Sequence, residues 1–220
     1  MIKDIVAVVP VKANSDRVKA KNLRPFADTT LFDLKIHQLK NVQGFSKIIV
    51  SSEDEFVIEK SLQFGVEVHH RDPMYSTSDI PMSEVYSYIA SEVSGENIAW
   101  VNVTNPLSGE NIYSKAIEIY NKLESRYDCL LGVSEMKDYM FFRDNPVNFQ
   151  RAPWAKSQDL EPLYSMNFAV NILKREDMVE WGSCVGFSPY MYVIDSIDGW
   201  DIDVQSDFDF CESVYLSRKE

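Results

Sequence analysis

The feature that most constrains this chain lies near its start. Ile5–Val11 is a continuous apolar run, rich in β-branched residues and bounded by polar loop residues. A strand with one face in water alternates apolar and polar positions, whereas a run apolar throughout must be covered on both faces. The run is far too short to span a bilayer, and Asp4 interrupts its approach. No small-residue cleavage site follows, so it does not read as a secretory signal. It reads as a central strand of a parallel sheet, buried between helices.

The sequence that follows repeats this logic. Leu31, Leu34, Ile36 and Leu39 fall at roughly helical spacing, and Lys47–Val50 is a short strand. Ser52 followed by Glu55 predicts a capping box opening a helix that runs to about Phe64, stopped by Gly65. Val66–His69 reads as a strand, Met82–Val93 as a helix and Ile98–Val103 as another buried strand. A helix through Ile112, Ala116, Ile119 and Leu123 then leads to a strand at Leu130–Val133. Strand and helix alternate with short connections. The expected fold class is therefore α/β, an open, mostly parallel sheet with helices on both faces. The 220 residues suit a single domain, 1–220.

The alternation breaks over 138–165. This stretch holds Phe141, Phe142, Phe149, Trp154 and Tyr164, three prolines and no clear period. A long irregular segment in a compact domain is usually functional. Its aromatics predict a small protruding arm that meets a second copy in a homodimer, with packing on its own domain as the alternative. Regular structure resumes at Ala169–Leu173 and Tyr190–Ile194, then in an amphipathic helix carrying Phe210, Cys211, Val214 and Tyr215.

Net charge is −12, which argues against nucleic acid or an anionic membrane as the main partner. Yet Lys12, Arg17, Lys19, Lys21 and Arg24 crowd the stretch directly after the first strand. One basic loop on an acidic protein suggests a small anionic ligand, with a solvated lysine-rich loop as the alternative. Ala13 and Ser15 are small enough to let the backbone approach a phosphate. There is no G-x-G-x-x-G and no G-K-S/T, which disfavours a dinucleotide enzyme or a P-loop kinase. Three widely spaced cysteines, Cys129, Cys184 and Cys211, predict no disulfide framework, no zinc site and a reducing cytoplasm.

The second constellation is Asp201-Ile-Asp203, with Asp207 shortly after. On an extended segment the first two side chains share a face. Two converging carboxylates without His or Cys suit Mg²⁺ better than zinc. In a chain with 34 acidic residues, chance occurrence is the competing reading, and Asp207 is equally explained as a helix-start charge.

The loop Val9-Pro-Val-Lys-Ala-Asn-Ser-Asp-Arg-Val-Lys-Ala-Lys-Asn-Leu23 resembles the signature of CMP-sialic acid synthetases and their CMP-Kdo relatives. Phe64-Gly-Val-Glu-Val, Arg71, Ser78-Asp79 and Trp100-Val-Asn-Val-Thr-Asn-Pro-Leu107 are similar to further landmarks of that family. So are Gln158-Asp-Leu, Asn167 and Asp201-Ile-Asp-Val-Gln-Ser-Asp-Phe208, in the right order over nearly the whole chain.

The resemblance implies a Rossmann-like nucleotidyltransferase fold and a cytoplasmic, dimeric enzyme. A hydroxyl of a sialic-acid-like sugar acid would attack the α-phosphorus of CTP and expel pyrophosphate. Lys12 and Lys21 would meet the triphosphate, and Asp201 and Asp203 would hold Mg²⁺ or Mn²⁺, with Asp207 behind them. Ala13, Asn14, Ser15 and Arg17 would shape the nucleotide loop. Asn22, Arg71 and Ser78 would lie around the cytidine, and Asn102, Gln158 and Asn167 on the sugar side.

The chain also departs from the family pattern. Lys12 replaces an arginine, Lys19 a proline, Asn102 a glutamine, Ser108 and Ser157 arginines, and Phe168 a glycine. Most departures fall on the sugar side, which implies a change of acceptor more than a loss of catalysis. A Kdo-type or non-sugar acceptor, a non-catalytic nucleotide-binding protein and a D-x-D glycosyltransferase are the competing readings.

Overall fold

The computed structural model describes residues 2–12, 18 and 20–219. Seven strands form the main sheet: β1 (Ile5–Pro10), β2 (Lys47–Ser52), β3 (Glu67–His70), β4 (Asn97–Trp100), β5 (Cys129–Met136), β6 (Leu163–Lys174) and β7 (Pro189–Val193). The helices are α1 (Leu31–Lys40), α2 (Glu55–Gln63), α3 (Met82–Glu92), α4 (Glu110–Asn121), α5 (Arg175–Trp181) and α6 (Gln205–Ser217). The sheet order is β7-β5-β6-β4-β1-β2-β3. Neighbours pair in parallel except β6, which runs antiparallel to both β4 and β5. The open, mostly parallel sheet is thus present, with one reversed strand inside it.

Alternation along β1 explains why its run is apolar on both faces. Ile5, Ala7 and Val9 pack with Phe32, Ile36 and Leu39 of α1 and with Tyr113, Ala116 and Ile117 of α4. Val6 and Val8 point the other way, to Val85 and Ile89 of α3 and Met178 of α5. All five β1 residues named here are 0% exposed. Burying each of the isoleucine and valine side chains contributes about 1.5–3 kcal/mol, which fixes β1 in the middle of the layers. A third cluster joins Phe26, Leu31 and Leu107 to Ile202, Phe208 and Cys211, pinning α6 against the entry to α1.

Two local expectations need correction. The cap of α2 is Asp54, whose carboxylate accepts from Val57 N at 3.0 Å, while Ser52 Oγ accepts from Asp54 N at 3.2 Å. Ser52 cannot open the helix because it is still paired in the sheet, opposite His70. The strand expected at Ala169–Leu173 begins at Leu163, inside the segment read as irregular, and its register shifts between Met166 and Asn171.

The rest of that segment is a short ribbon, Phe141–Phe142 with Asn145–Pro146, beneath an aromatic cluster. Tyr139 stacks on Trp154 at 5.0 Å, and Phe149 meets Tyr139, Phe141 and Trp154 at 5.1–5.2 Å. Asn148 ties the ends of the segment by donating to the Asp138 and Glu161 carbonyls. Phe142 and Trp154 nevertheless stay 69% and 61% exposed. The three cysteines are buried and unpaired. Among the described residues no helix is long and apolar enough to cross a membrane.

Candidate active site

Parallel strands deliver their carboxyl ends to one edge of the sheet. Here β1, β2, β3 and β4 end at Pro10, Ser52, His70 and Trp100, and Lys12, Glu53, Arg71 and Asn102 follow within two residues of those ends. That edge opens into a cleft of about 630 Å³. Of the predicted site residues, Lys12, Lys21, Asn22, Arg71, Ser78, Asn102, Asp201 and Asp203 line it. Ala13, Asn14, Ser15 and Arg17 lie outside the described residues, as does Lys19.

On the β1–β3 side, charge is held in place by burial. Arg71 is 3% exposed, and its Nη2 donates to the Val11 carbonyl and to Glu53 Oε2, both at 2.6 Å. Ser76 Oγ donates to the same Glu53 oxygen at 2.5 Å. Burial pushes the Glu53 carboxyl up, but the bonds from Ser76 and Arg71 and the arginine's charge outweigh it and leave the pKa lowered. Arg71 therefore spends its charge on a carboxylate and its second bond on fixing the chain where the basic loop begins. Asn22 Nδ2 donates to the Lys12 carbonyl at 3.0 Å. Its Oδ1 is a buried acceptor with no hydrogen-bond partner among the described residues.

At the centre, Lys21 Nζ donates to the Ile202 carbonyl, joining residues 181 positions apart. Ile202 is fully buried in the third apolar cluster. Because the flanking side chains of an extended segment face the other way, Asp201 and Asp203 both line the cleft. Asp207 Oδ2 accepts from Asp203 N and Val204 N, each at 2.9 Å, in the first turn of α6. Burial raises its pKa, but these two backbone bonds, with help from Trp200 and the Lys21 charge, bring it below the usual carboxylate range. Asp207 thus serves as both the helix-start charge and the support behind Asp203. Arg24 turns away from the cleft: its guanidinium sits 3.7 Å over the Phe208 ring and bonds Gln205 at 3.0 Å.

The donor set fits a hard divalent cation. Asp201 and Asp203 offer carboxylate oxygens from one face of one segment, without nitrogen or sulfur donors. Among the described residues no group of three or more His, Cys, Asp or Glu could enclose an ion. Such a pair suits Mg²⁺, which keeps waters and shares phosphate oxygens instead of filling an all-protein cage.

On the β4–β6 side the anchors are neutral. Asn105 is fully buried and donates from Nδ2 to the Asn167 carbonyl at 2.8 Å and to the Gly199 and Trp200 carbonyls at 3.2 Å. Ser108 Oγ donates to the Asp198 carbonyl at 2.7 Å, and Ile202 N to the Thr104 carbonyl at 2.9 Å. The loop after β4 thereby holds the segment that carries the two aspartates. Behind it, Lys35 Nζ donates to the Asn105 and Ser108 carbonyls at 2.8 and 3.2 Å and to Tyr113 Oη. Desolvation holds this fully buried lysine well below its ordinary pKa. Lys35 was not among the expected site residues, although it left a signal: it interrupts the Leu31–Leu39 stripe of α1 at a core position.

Two predicted sugar-side residues are placed elsewhere. Asn167 is buried; its Nδ2 donates to Ser134 Oγ and its Oδ1 accepts from Ala169 N, both at 3.2 Å, so its side chain is committed to the chain's own backbone turn. Gln158 is exposed in a short 3₁₀ turn, Ser157–Asp159, and does not line the cleft. Phe168, Trp100 and Thr104 do line it, without having been singled out.

An open α/β sheet that brings a lysine-bearing loop after its first strand and paired carboxylates to one edge is an arrangement suited to a nucleotidyltransferase. The family model described as Cytidylyltransferase matches residues 6–180, and the chain belongs to this family of CTP-dependent enzymes. It is 22% identical over 233 residues to post-translational flagellin modification protein B of Campylobacter coli, covering 99% of this chain and 97% of that one. It is also 22% identical over 229 residues to the CMP-N,N'-diacetyllegionaminic acid synthase of Legionella pneumophila, covering 98% of each. Among solved structures, CMP:2-keto-3-deoxy-manno-octonic acid synthetase complexed with CTP superposes with a TM-score of 0.72 at 10% identity, covering 98% of this chain and 99% of that one. The last likeness is one of fold.

Proposed function

We propose that this cytidylyltransferase transfers CMP from CTP to a sialic-acid-like nonulosonic acid, releasing pyrophosphate. The observation that carries the reading is the Lys21–Ile202 bond, which closes the loop after β1 onto the segment bearing Asp201 and Asp203. Lys12 and Lys21 meet the triphosphate as point charges, and their positive potential favours charge developing on the transferred and departing phosphoryl oxygens. Asp201 and Asp203 hold Mg²⁺ or Mn²⁺, which when bound supplies further neutralisation of those oxygens. Asn22 offers its unmet acceptor to the cytidine, Ser78 lies along the same wall, and Arg71 keeps the loop's root fixed. Asn102 faces the acceptor. Ala13, Asn14, Ser15 and Arg17, which lie outside the described residues, are assigned to the triphosphate by the likeness of their loop to the family signature.

The exposed aromatics of 138–165 support a homodimer through that arm, and three unpaired thiols support a cytoplasmic setting. A sugar acid is favoured over a non-sugar acceptor because relatives matched along nearly their full length act, by their names, on such acids.

Pyrophosphate release, measured with each nucleoside triphosphate against nonulosonic acids and a Kdo-type acid, tests this. Release is expected with CTP and a nonulosonic acid; CTP binding with no release for any acid overturns the proposal. Asp203→Ala is expected to cut the rate by about 10²–10³-fold. Undiminished release in Mg²⁺ would remove the metal assignment.

A further inference from the structure

Four described non-glycine residues have positive φ: Ala20, Ala27, Arg143 and Phe168. Of these only Phe168, at φ +58°, lines the cleft. A bulky residue in the left-handed region is a steric outlier, and it persists only where its surroundings over-determine it. The surroundings here do so on both flanks. Asn167 is clamped by Ala169 N, by Ser134 Oγ and, through its carbonyl, by Asn105 Nδ2 at 2.8 Å. A Cβ at Gly132 would come within 3.0 Å of Asn167 Oδ1, and one at Gly199 within 2.5 Å of its Nδ2, so two glycines make room for this clamp. The register shift between Met166 and Asn171 releases the intervening residues from the ladder and carries the Phe168 side chain to the cleft wall.

The lining there mixes apolar residues with the polar side chains of Asn102 and Thr104. Trp100, edge-to-face with Tyr86 at 4.7 Å, and Val103 line the same β4–β6 part of the cleft. The described cationic lining residues, Lys12, Lys21 and Arg71, follow β1 and β3 instead.

From this the geometry points to Phe168 as a specificity-determining residue that selects an acceptor presenting an apolar substituent, such as the methyl of an N-acyl group, to its ring. The inference rests on the cytidylyl-transfer reading above. The aromatic face accepts such a methyl group by dispersion and exclusion of water, whereas a hydroxyl pressed against the ring itself finds no hydrogen-bond partner on it. An acceptor rich in hydroxyls at that position loses hydrogen bonds to water without replacement.

The test uses N,N'-diacetyllegionaminic acid and 2-keto-3-deoxy-manno-octonic acid, with saturating CTP, and compares kcat/KM for the pair. The wild-type enzyme is expected to prefer the diacylated acid. In Phe168→Gly, whose backbone tolerates φ +58° without strain, the preference is expected to fall by about tenfold or more, chiefly through KM of the acyl acid. KM for CTP and the CTP-induced rise in Tm are expected to stay within about twofold of wild type. Phe168→Tyr, which keeps the ring, is expected to keep most of the preference. An unchanged preference in Phe168→Gly overturns the inference, as does a rise in KM for CTP matching that for the acid. If Phe168→Gly fails to fold, Phe168→Leu decides: loss of preference supports the ring's role and an unchanged ratio removes it. A wild-type enzyme that turns over neither acid sinks the underlying reading itself, before any variant is compared.

Discussion

The two halves of the cleft are built from different materials. Over β1–β3 the structure spends a buried ion pair, Arg71 with Glu53, on rooting the loop that carries Lys12 and Lys21. Over β4–β6 it uses neutral amides, Asn105 and Asn167, backed by a buried lysine that donates to two carbonyls and a tyrosine hydroxyl, and presents aromatic side chains to the cleft. A triphosphate has the same charge in every turnover, so the groups that fix its loop can be specialised for charge. On the reading proposed above, the β4–β6 half takes the acceptor and is set by shape, so a single side chain such as Phe168 would reset it without disturbing the other half.

Three substitutions probe this division. Lys21→Met removes the donor that ties the loop after β1 to the Ile202 carbonyl, and with it a positive charge lining the cleft. It is expected to lower kcat/KM by about 10²-fold or more with either acid, leaving acceptor preference unchanged. A shift in preference instead would place Lys21 on the acceptor side.

Lys35→Met comes next. It leaves the Asn105 and Ser108 carbonyls without their donor, at a cost to stability of about 2–4 kcal/mol in denaturant unfolding. Burial depresses the pKa of Lys35, so the unfolded chain binds this proton more readily than the folded one. The cost to wild type of keeping this lysine charged in the folded chain is therefore full below the folded pKa and fades as pH rises toward the ordinary lysine value. Wild type is expected to gain stability relative to Lys35→Met over that window; a gap independent of pH would contradict the depressed pKa. The kinetic effect is expected in acceptor KM before CTP KM.

The smallest effect is that of Glu53→Gln, expected to cost about 1–2 kcal/mol at neutral pH, because solvent reaches the Glu53 end of the pair and glutamine can still accept from Arg71. Glu53 is held below its ordinary pKa, so its contribution is present above that ordinary value and lost as pH falls through the lowered one. Unfolding curves for wild type and Glu53→Gln should therefore converge in acid. Here KM for CTP, not for the acid, is expected to rise; the reverse would erase the distinction between the halves.

Much of the frame was legible beforehand because it is periodic or local. The β1 run could only be a strand covered on both faces, and its burial on both sides follows directly. The Asp201-Ile-Asp203 alternation already implied that a buried Ile202 would turn both carboxylates to one side. The reversed direction of β6 was not legible, since an apolar strand reads the same in either sense. Nor was the commitment of Asn167 to Ser134 and Ala169, because an asparagine beside a strand looks alike whether it faces a ligand or its own backbone. Ser52 misled for a related reason: the capping pattern was correct in composition, yet sheet pairing had already claimed that residue.

The amino-acid sequence alone determined the layered α/β sheet, the basic loop after its first strand and the carboxylate pair, because hydrophobic period and residue chemistry are properties of neighbours in the chain. Only the tertiary structure decided which of those groups meet. Lys21 reaches Ile202 across 181 positions, and Lys35 reaches the loop after β4 across about 70. Phe168 takes its left-handed backbone next to Asn167, whose side chain fits only because Gly132 and Gly199, from two other stretches, carry no Cβ. Such contacts depend on how whole elements pack, and packing is decided by the sum of many weak burial terms that no local stretch contains.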